Sequence, residues 1–484
     1  MPINASEKQL FDTLCSLLSV FRSDFSRERS FRNFVRICLG FMLRSDIKGV
    51  TDFVRIGYRN DENPDSLYQR VIKFFRSSSF RLEDLQATWL GHLSSLDEQV
   101  PTLEGRRILI GDGVKQGKAG FHMAAVKRYA QSSESVAKAD MIWGHLWGAV
   151  GLLTGNLEAK MFYTPINANI QDGNQTIKAW DDEAYEGKTH VMQMADAGIA
   201  CFKNSPCSCL FALDRYFLTR DLISAVDKAN AEKGDATSLC IITKAKCNCI
   251  AYEKPQPGPA KRRGRPPLKG RTVHLKDLFS SRSDEFQETE LLLYGKMQKV
   301  RYLAVDCLWG MGLYREMRFV LVETNTLRSI LVSSDTTVKA QTIITCYSLR
   351  WKCEESYLRS KHVLGAFSYH FWTKAMPKLN HYRKRTSPDP VAQVTSEHDK
   401  KRILSAYRAT EVFAFIGQVA QGMLQLLSLK AHELGLVTKK WLRTYSSPVN
   451  SEQTMAFDLA SLIKRVIVTF TGSDNPVKLL ELVA

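Results

Sequence analysis

Four polar residues stand at helical spacing in the C-terminal half of this 484-residue chain: Tyr347, Arg350, Glu354 and Lys361. At about 100° per residue the last three fall roughly −60°, −20° and −40° from Tyr347, so one continuous helix would carry all four on a narrow face. They offer a phenol, a guanidinium fork, a carboxylate that can ligate a cation, and a point charge. A site handling phosphodiesters at a bound cation needs such groups. The plain alternative is an exposed ion pair between Arg350 and Glu354, four residues apart.

Two aspartates enlarge the set. Asp112 closes the run Ile108-Leu-Ile-Gly-Asp112, and Asp214 closes Leu210-Phe-Ala-Leu-Asp214. A carboxylate ending a buried strand projects from a rigid element to where ligands bind on α/β sheets. Taken singly, each could equally serve a strand-ending turn or a helix cap. Three carboxylates from two strands and a helix can hold two Mg²⁺ or Mn²⁺ ions about 3.5–4 Å apart. One ion would activate the attacking water or 3′-hydroxyl, and the other would stabilise the leaving 3′-oxygen.

The elements that must position these residues follow from hydrophobic periodicity. Residues 1 to 100 read as basic amphipathic helices, at Glu7 to Phe21, Ser30 to Leu43 and Ser66 to Phe75. From about 106 the pattern turns to strands: Arg107 to Asp112, Met141 to Leu153 and Ala159 to Ile166. A helix at Thr189 to Phe202, a strand at Cys207 to Asp214, a helix at Thr219 to Glu232 and a strand at Ala236 to Lys246 come next. Further strands are expected at Val300 to Cys307, Glu316 to Val322 and Ser329 to Ser334, before the helix bearing Tyr347. This order predicts an α/β class with a mixed sheet that has a parallel half. From 371 to 484 the chain is mainly helical, with apolar periodicity at Arg402 to Leu427 and Ser451 to Thr469, helices that could pack on the catalytic region or, as a dimerisation surface, on a second copy of the chain.

Lys and Arg exceed Asp and Glu by 67 to 50, a net charge of +17 spread through the chain. A polyanionic partner is implied, with nucleic acid ahead of an anionic membrane. The apolar stretch Met141 to Thr154 is too short to span a bilayer and contains His145, so membrane insertion is not expected. The N-terminus lacks a basic segment followed by an apolar one, which points to a cytoplasmic protein. Eleven cysteines, several inside apolar runs, suit reduced buried thiols. Cys207, Cys209, Cys247 and Cys249 could supply a zinc site, but if their two strands are parallel the pairs lie at opposite ends, ~20 Å apart.

The stretch Pro255 to Arg271 is rich in proline, glycine and basic residues and cannot form a core. Within 261–267, Arg263-Gly-Arg265-Pro resembles the AT-hook, an extended segment whose arginines enter the minor groove of A·T-rich DNA. The alternative is a basic linker.

Asp112, Asp214 and Glu354, with Tyr347-x2-Arg350-x3-Glu354-x6-Lys361, resemble the catalytic core of DDE insertion-sequence transposases, in the branch named for its Tyr-Arg-Glu-Lys (YREK) signature. The resemblance covers about 106 to 370. It implies a ribonuclease H-like mixed sheet with a mainly β insertion at about 250–335, flanked by helical N- and C-terminal regions. It further implies cut-and-paste DNA transposition and recombination: binding of a mobile element's inverted terminal repeats, metal-dependent strand cleavage, and transfer to target DNA by a homodimer, in the nucleoid if the host is prokaryotic. By position, Asp112, Asp214 and Glu354 would ligate the metals, while Tyr347, Arg350 and Lys361 would grip phosphates beside the scissile bond. Related members also hold a flipped base on a tryptophan of the insertion. At the matching strand this chain has Arg328 and Ser329, and Trp309 lies earlier. A DNA-binding protein derived from such an ancestor, without catalysis, and a purely hydrolytic nuclease are the other readings.

Overall fold

The computed structural model describes residues 3–44, 47–57, 63–131, 140–157, 160–182, 184–234, 236–256, 266–324, 327–380, 382, 389–436 and 449–471. The fold is α/β, with a mixed, mostly antiparallel sheet flanked by helices. The chain forms two compact units, one of Met1–Gln99, Gly113–His190 and Glu355–Ala484, the other of Val100–Asp112 and Val191–Glu354.

The second unit is built on parallel strands. The first half of Arg106–Gly117 pairs in parallel with Cys209–Leu213, from Arg107 opposite Cys209 to Gly111 opposite Leu213. Cys209–Leu213 pairs in parallel with Leu239–Lys244. The helix Arg220–Lys233 makes the return that this parallel pair requires. All five residues of Cys209–Leu213 are buried, as expected of a strand covered on both faces. Antiparallel strands then extend the sheet: Arg328–Ser333, Arg315–Glu323 and Lys296–Trp309. Gln287–Leu293 folds back on Lys296–Trp309 through a two-residue turn, where Tyr294 and Gly295 have φ of 52° and 76°. Positive φ at both central positions matches the right-handed twist of a hairpin. Because the two inner strands are parallel, Cys207 and Cys209 stand at the start of one while Cys247 and Cys249 follow the end of its neighbour, so the pairs are at opposite ends.

Side-chain alternation sorts the helices of this unit. A Cβ at Gly111 would come within 2.7 Å of Met194 Sδ and 2.9 Å of Phe211, so the helix His190–Lys203 lies close on the face of Gly111 and Phe211. Lys233 donates to Ser205 O, which ties Arg220–Lys233 beside it. The helix Ala340–Leu349 packs on the opposite face, where Cys346 sits near Cys240, the register partner of Leu210.

In the first unit, the N-terminal helices described between Ala5 and Ser94 share a core with the C-terminal helices Glu397–Glu433 and Glu452–Thr471 and the antiparallel pair Met141–Asn156 and Lys160–Ile170. The rings of Phe41, Phe53, Phe75 and Phe413 meet at centroid distances of 4.9 to 6.3 Å. Helix Glu397–Glu433 is buried on all sides from Ala409 to Leu429, the signature of a core helix. Among the described residues it is the one helix long and apolar enough to cross a membrane, and its apolar window is wholly buried inside the protein.

Candidate active site

Asp112 and Asp214 each follow the last paired residue of adjacent parallel strands, since Gly111 is opposite Leu213. Neighbouring strands run about 4.8 Å apart, so register alone sets the two aspartates side by side. Alternation then turns both away from the face of Gly111, toward the face covered by Ala340–Leu349. The strand does not end at Asp112, as its sequence suggested; it continues to Gly117, because beyond Asp112 its neighbour is Met141–Asn156. Asp214 does end its strand. It precedes the single turn Arg215–Phe217, and its carbonyl accepts from Phe217 N–H and from Thr243 Oγ1 at 3.0 Å.

The third acidic residue, Glu354, stands in the first turn of Trp351–Arg359, the helix that follows the covering one. Arg350 is the hub: it donates to Asp112 Oδ2 at 2.6 Å and to Glu354 Oε1 at 2.8 Å. Its guanidinium also feels Tyr347 and Asp214 electrostatically. Burial works against its charge, yet Asp112, Tyr347, Glu354 and Asp214 together hold its pKa above the ordinary value. Burial likewise pushes the Tyr347 phenol up to about 12, so it stays protonated at neutral pH. Asp112 and Arg350 are largely covered, whereas more than half of the Glu354 side chain is exposed.

The continuous helix expected from Tyr347 to Lys361 is not formed. Ala340–Leu349 ends at Arg350, Trp351–Arg359 follows, and Lys361 lies in the π-turn Ser360–Leu364. The break has a local cause: Arg350 N–H bonds Tyr347 O and Cys353 N–H bonds Arg350 O, both three residues back, which tightens the turn at Arg350. Arg350 keeps right-handed helical dihedrals, so it still reaches Glu354 one turn on. Lys361 belongs to the first unit, where its ammonium donates to Lys115 O at 3.0 Å.

Arg263 and Arg265 lie outside the described residues; Pro266 and Pro267, which follow them, have no regular secondary structure. Trp309 is half-buried at the last position of its strand, paired with Arg315, and Arg328 is exposed and bonded to Glu323. Sequence reasoning passed over two exposed aromatics near the acidic cluster. Trp351 adjoins Arg350, and Tyr294 acts on Tyr347 through space from the hairpin turn. The Tyr294-Gly295 dipeptide between two runs of strand character was the available signal for that turn.

The donor set is three carboxylates, hard oxygen ligands of the kind Mg²⁺ and Mn²⁺ take. Among the described residues no three His, Cys, Asp or Glu side chains stand as a ready ligand cluster. In its place Arg350 bridges Asp112 and Glu354. The chain matches no protein-family model, no curated protein and no solved structure.

Proposed function

We propose that this chain is a DDE transposase with a ribonuclease H-like core, acting on the inverted terminal repeats of a mobile element and on target DNA. The observation that carries the reading is the meeting of Asp112, Asp214 and Glu354 around Arg350. Asp112 and Arg350 lie 238 positions apart in sequence. A cluster that only neutralised charge would not need two aspartates in register on adjacent strands and a third carboxylate left open to solvent. The net charge of +17 supports a DNA partner.

In this reading Asp112, Asp214 and Glu354 hold one or two divalent cations. When bound, these supply Lewis-acid polarisation of the phosphate and a more acidic nucleophile. The chain's own residues do the rest. Arg350 is pre-placed by its carboxylates and, as a planar fork, can exchange one of them for a phosphate oxygen. Tyr347, kept protonated, donates a hydrogen bond and does not repel the phosphate. The exposed side of Glu354 leaves an approach for a duplex end. Lys361 and the Arg263–Arg265 segment add backbone contacts, and two copies of the chain pair two DNA ends.

The test uses purified protein, Mg²⁺ or Mn²⁺, and DNA bearing its own element's ends. Cleavage and joining that disappear in Glu354→Ala while DNA binding persists support the transposase. Cleavage without joining makes the chain a nuclease, and binding with no cleavage by the unaltered protein makes it a non-catalytic DNA-binding protein.

A further inference from the structure

The first unit contains an open cavity of about 680 Å³. It is lined from two separated stretches of sequence and by one residue of the long core helix. Lys48, Tyr68 and Arg76 come from the N-terminal helices and the turn before them. His370, Trp372 and Lys374 come from the segment after the π-turn, and Arg402 comes from the start of Glu397–Glu433. Among the described residues the lining includes four Lys or Arg, one His and no Asp or Glu. Such a wall creates a positive field that a neutral ligand would not use.

The aromatic part is equally specific. Trp372 is 53% exposed although its neighbours Phe371 and Thr373 are buried. Its backbone is held in place: Arg76 donates to Trp372 O at 3.2 Å, and Thr373 N–H bonds His122 O. A large apolar ring held in the open beside four cations matches the two needs of a nucleotide, a stacking surface for the base and positive charge for the phosphate. The volume falls in the range of small-molecule sites and admits one or two nucleotides.

We propose that this cavity binds an unpaired stretch of DNA, with a base stacked on Trp372 and the adjoining phosphates on Lys374, Arg402, Lys48 and Arg76. The site lies wholly within the first unit and does not depend on the phosphodiester chemistry proposed for Asp112, Asp214 and Glu354. An unpaired strand is the favoured form because a paired base cannot present its face to a ring. A free nucleotide offers the same base and phosphate, and the experiment separates the two.

The experiment measures binding of the full chain to a fluorescent oligothymidylate, to a duplex of equal length and to thymidine monophosphate, over a range of salt. The oligothymidylate is expected to bind more tightly than the mononucleotide and to quench tryptophan fluorescence. Trp372→Ala should weaken it about tenfold or more, Trp372→Phe should restore most of the affinity, and the paired change Lys374→Gln with Arg402→Gln should flatten the salt dependence. Unaltered affinity in both Trp372→Ala and the paired charge variant, with circular dichroism unchanged, overturns the proposal. Mononucleotide binding as tight as the oligomer overturns the strand assignment. An unaltered chain that binds the oligomer through Trp372 but never cleaves DNA defeats the transposase reading and leaves this one standing.

Discussion

Glu354 is more than half exposed and pairs with Arg350 at 2.8 Å, whereas Glu411 in the core of the first unit is buried and accepts from Ile170 N–H at 2.9 Å and Tyr407 OH at 2.8 Å. Glu452, also buried, accepts from Gln425 Nε2 at 2.9 Å and faces Arg359 Nε at 3.3 Å. The interior carboxylates are bonded to fixed neighbours of the same fold: Glu411 ties strand to helix and Glu452 ties helices together. Of those around Arg350, Glu354 keeps one side toward solvent, and their shared partner is a side chain that can also bind phosphate. A buried acid whose hydrogen bonds are met within the fold serves stability; an acid left open beside a movable cation is placed to meet a ligand.

The sharpest break between the two regions should come from catalysis. On the proposed function, Asp214→Asn and Glu354→Ala are expected to lower cleavage by about a thousandfold or more, because each would remove a proposed cation ligand and with it several kcal/mol of transition-state stabilisation. Melting temperature should move little in the same variants. A large drop in melting temperature would put these acids in the structural class with Glu411.

The next effect is set by pH within the first unit. His145 is fully buried; the Ala124 carbonyl can only accept, so Nε2–H donates to it at 2.8 Å and Nδ1 accepts from Tyr369 OH at 2.7 Å. Trp147 Nε1–H donates to the same hydroxyl at 2.9 Å, which completes a neutral network. Burial depresses the His145 pKa from 6.5 to about 4. Between those values the unfolded chain binds the proton more readily, so this contribution is present above pH 6.5 and lost as pH falls toward 4, on the order of 3 kcal/mol. Urea unfolding at pH 7 and pH 4.5 should show the loss, and His145→Asn should flatten it. Glu411 acts in the opposite sense. Burial raises its pKa, so its contribution is present below the carboxylate's usual range and fades as pH rises through the raised value.

A smaller change is expected from Glu411→Ala, which strands Ile170 N–H and Tyr407 OH in the core and should cost about 2 kcal/mol by chemical denaturation. Glu411→Gln keeps an acceptor oxygen without the buried charge and should cost less, or raise stability at pH 7. Smallest of all, Glu354→Gln should change folding stability by less than about 0.5 kcal/mol, because its ion pair is exposed. A larger loss there would erase the distinction between the two regions.

Much of the second unit was legible in the chain. Apolar runs ending in Asp112 and Asp214 announce buried strands, the helical segment before Ala236 to Lys246 announces a parallel half, and Tyr347-x2-Arg350-x3-Glu354 places three groups close together at helical spacing. Those signals are local, and periodicity reports local structure well. The break at Arg350 was not legible, because a switch from four-residue to three-residue hydrogen bonds leaves the apolar pattern almost unchanged. Nor was the shared core of the first unit, in which Phe41 and Phe53 touch Phe413. An apolar stripe says that a helix face will be buried but not against which partner.

The sequence by itself determined the residue types and local spacing: two acids after buried runs, a third on a helix, and an excess of cations. Only the tertiary structure decided that Gly111 stands opposite Leu213, setting the aspartates side by side, and that Arg350 reaches across 238 positions to join Asp112 to Glu354. It also gathered Arg76, Trp372 and Arg402 around one cavity. The physical reason is the same in each case. Strand register and helix docking are set by close packing of distant apolar faces, and charged groups converge where that packing carries their backbones.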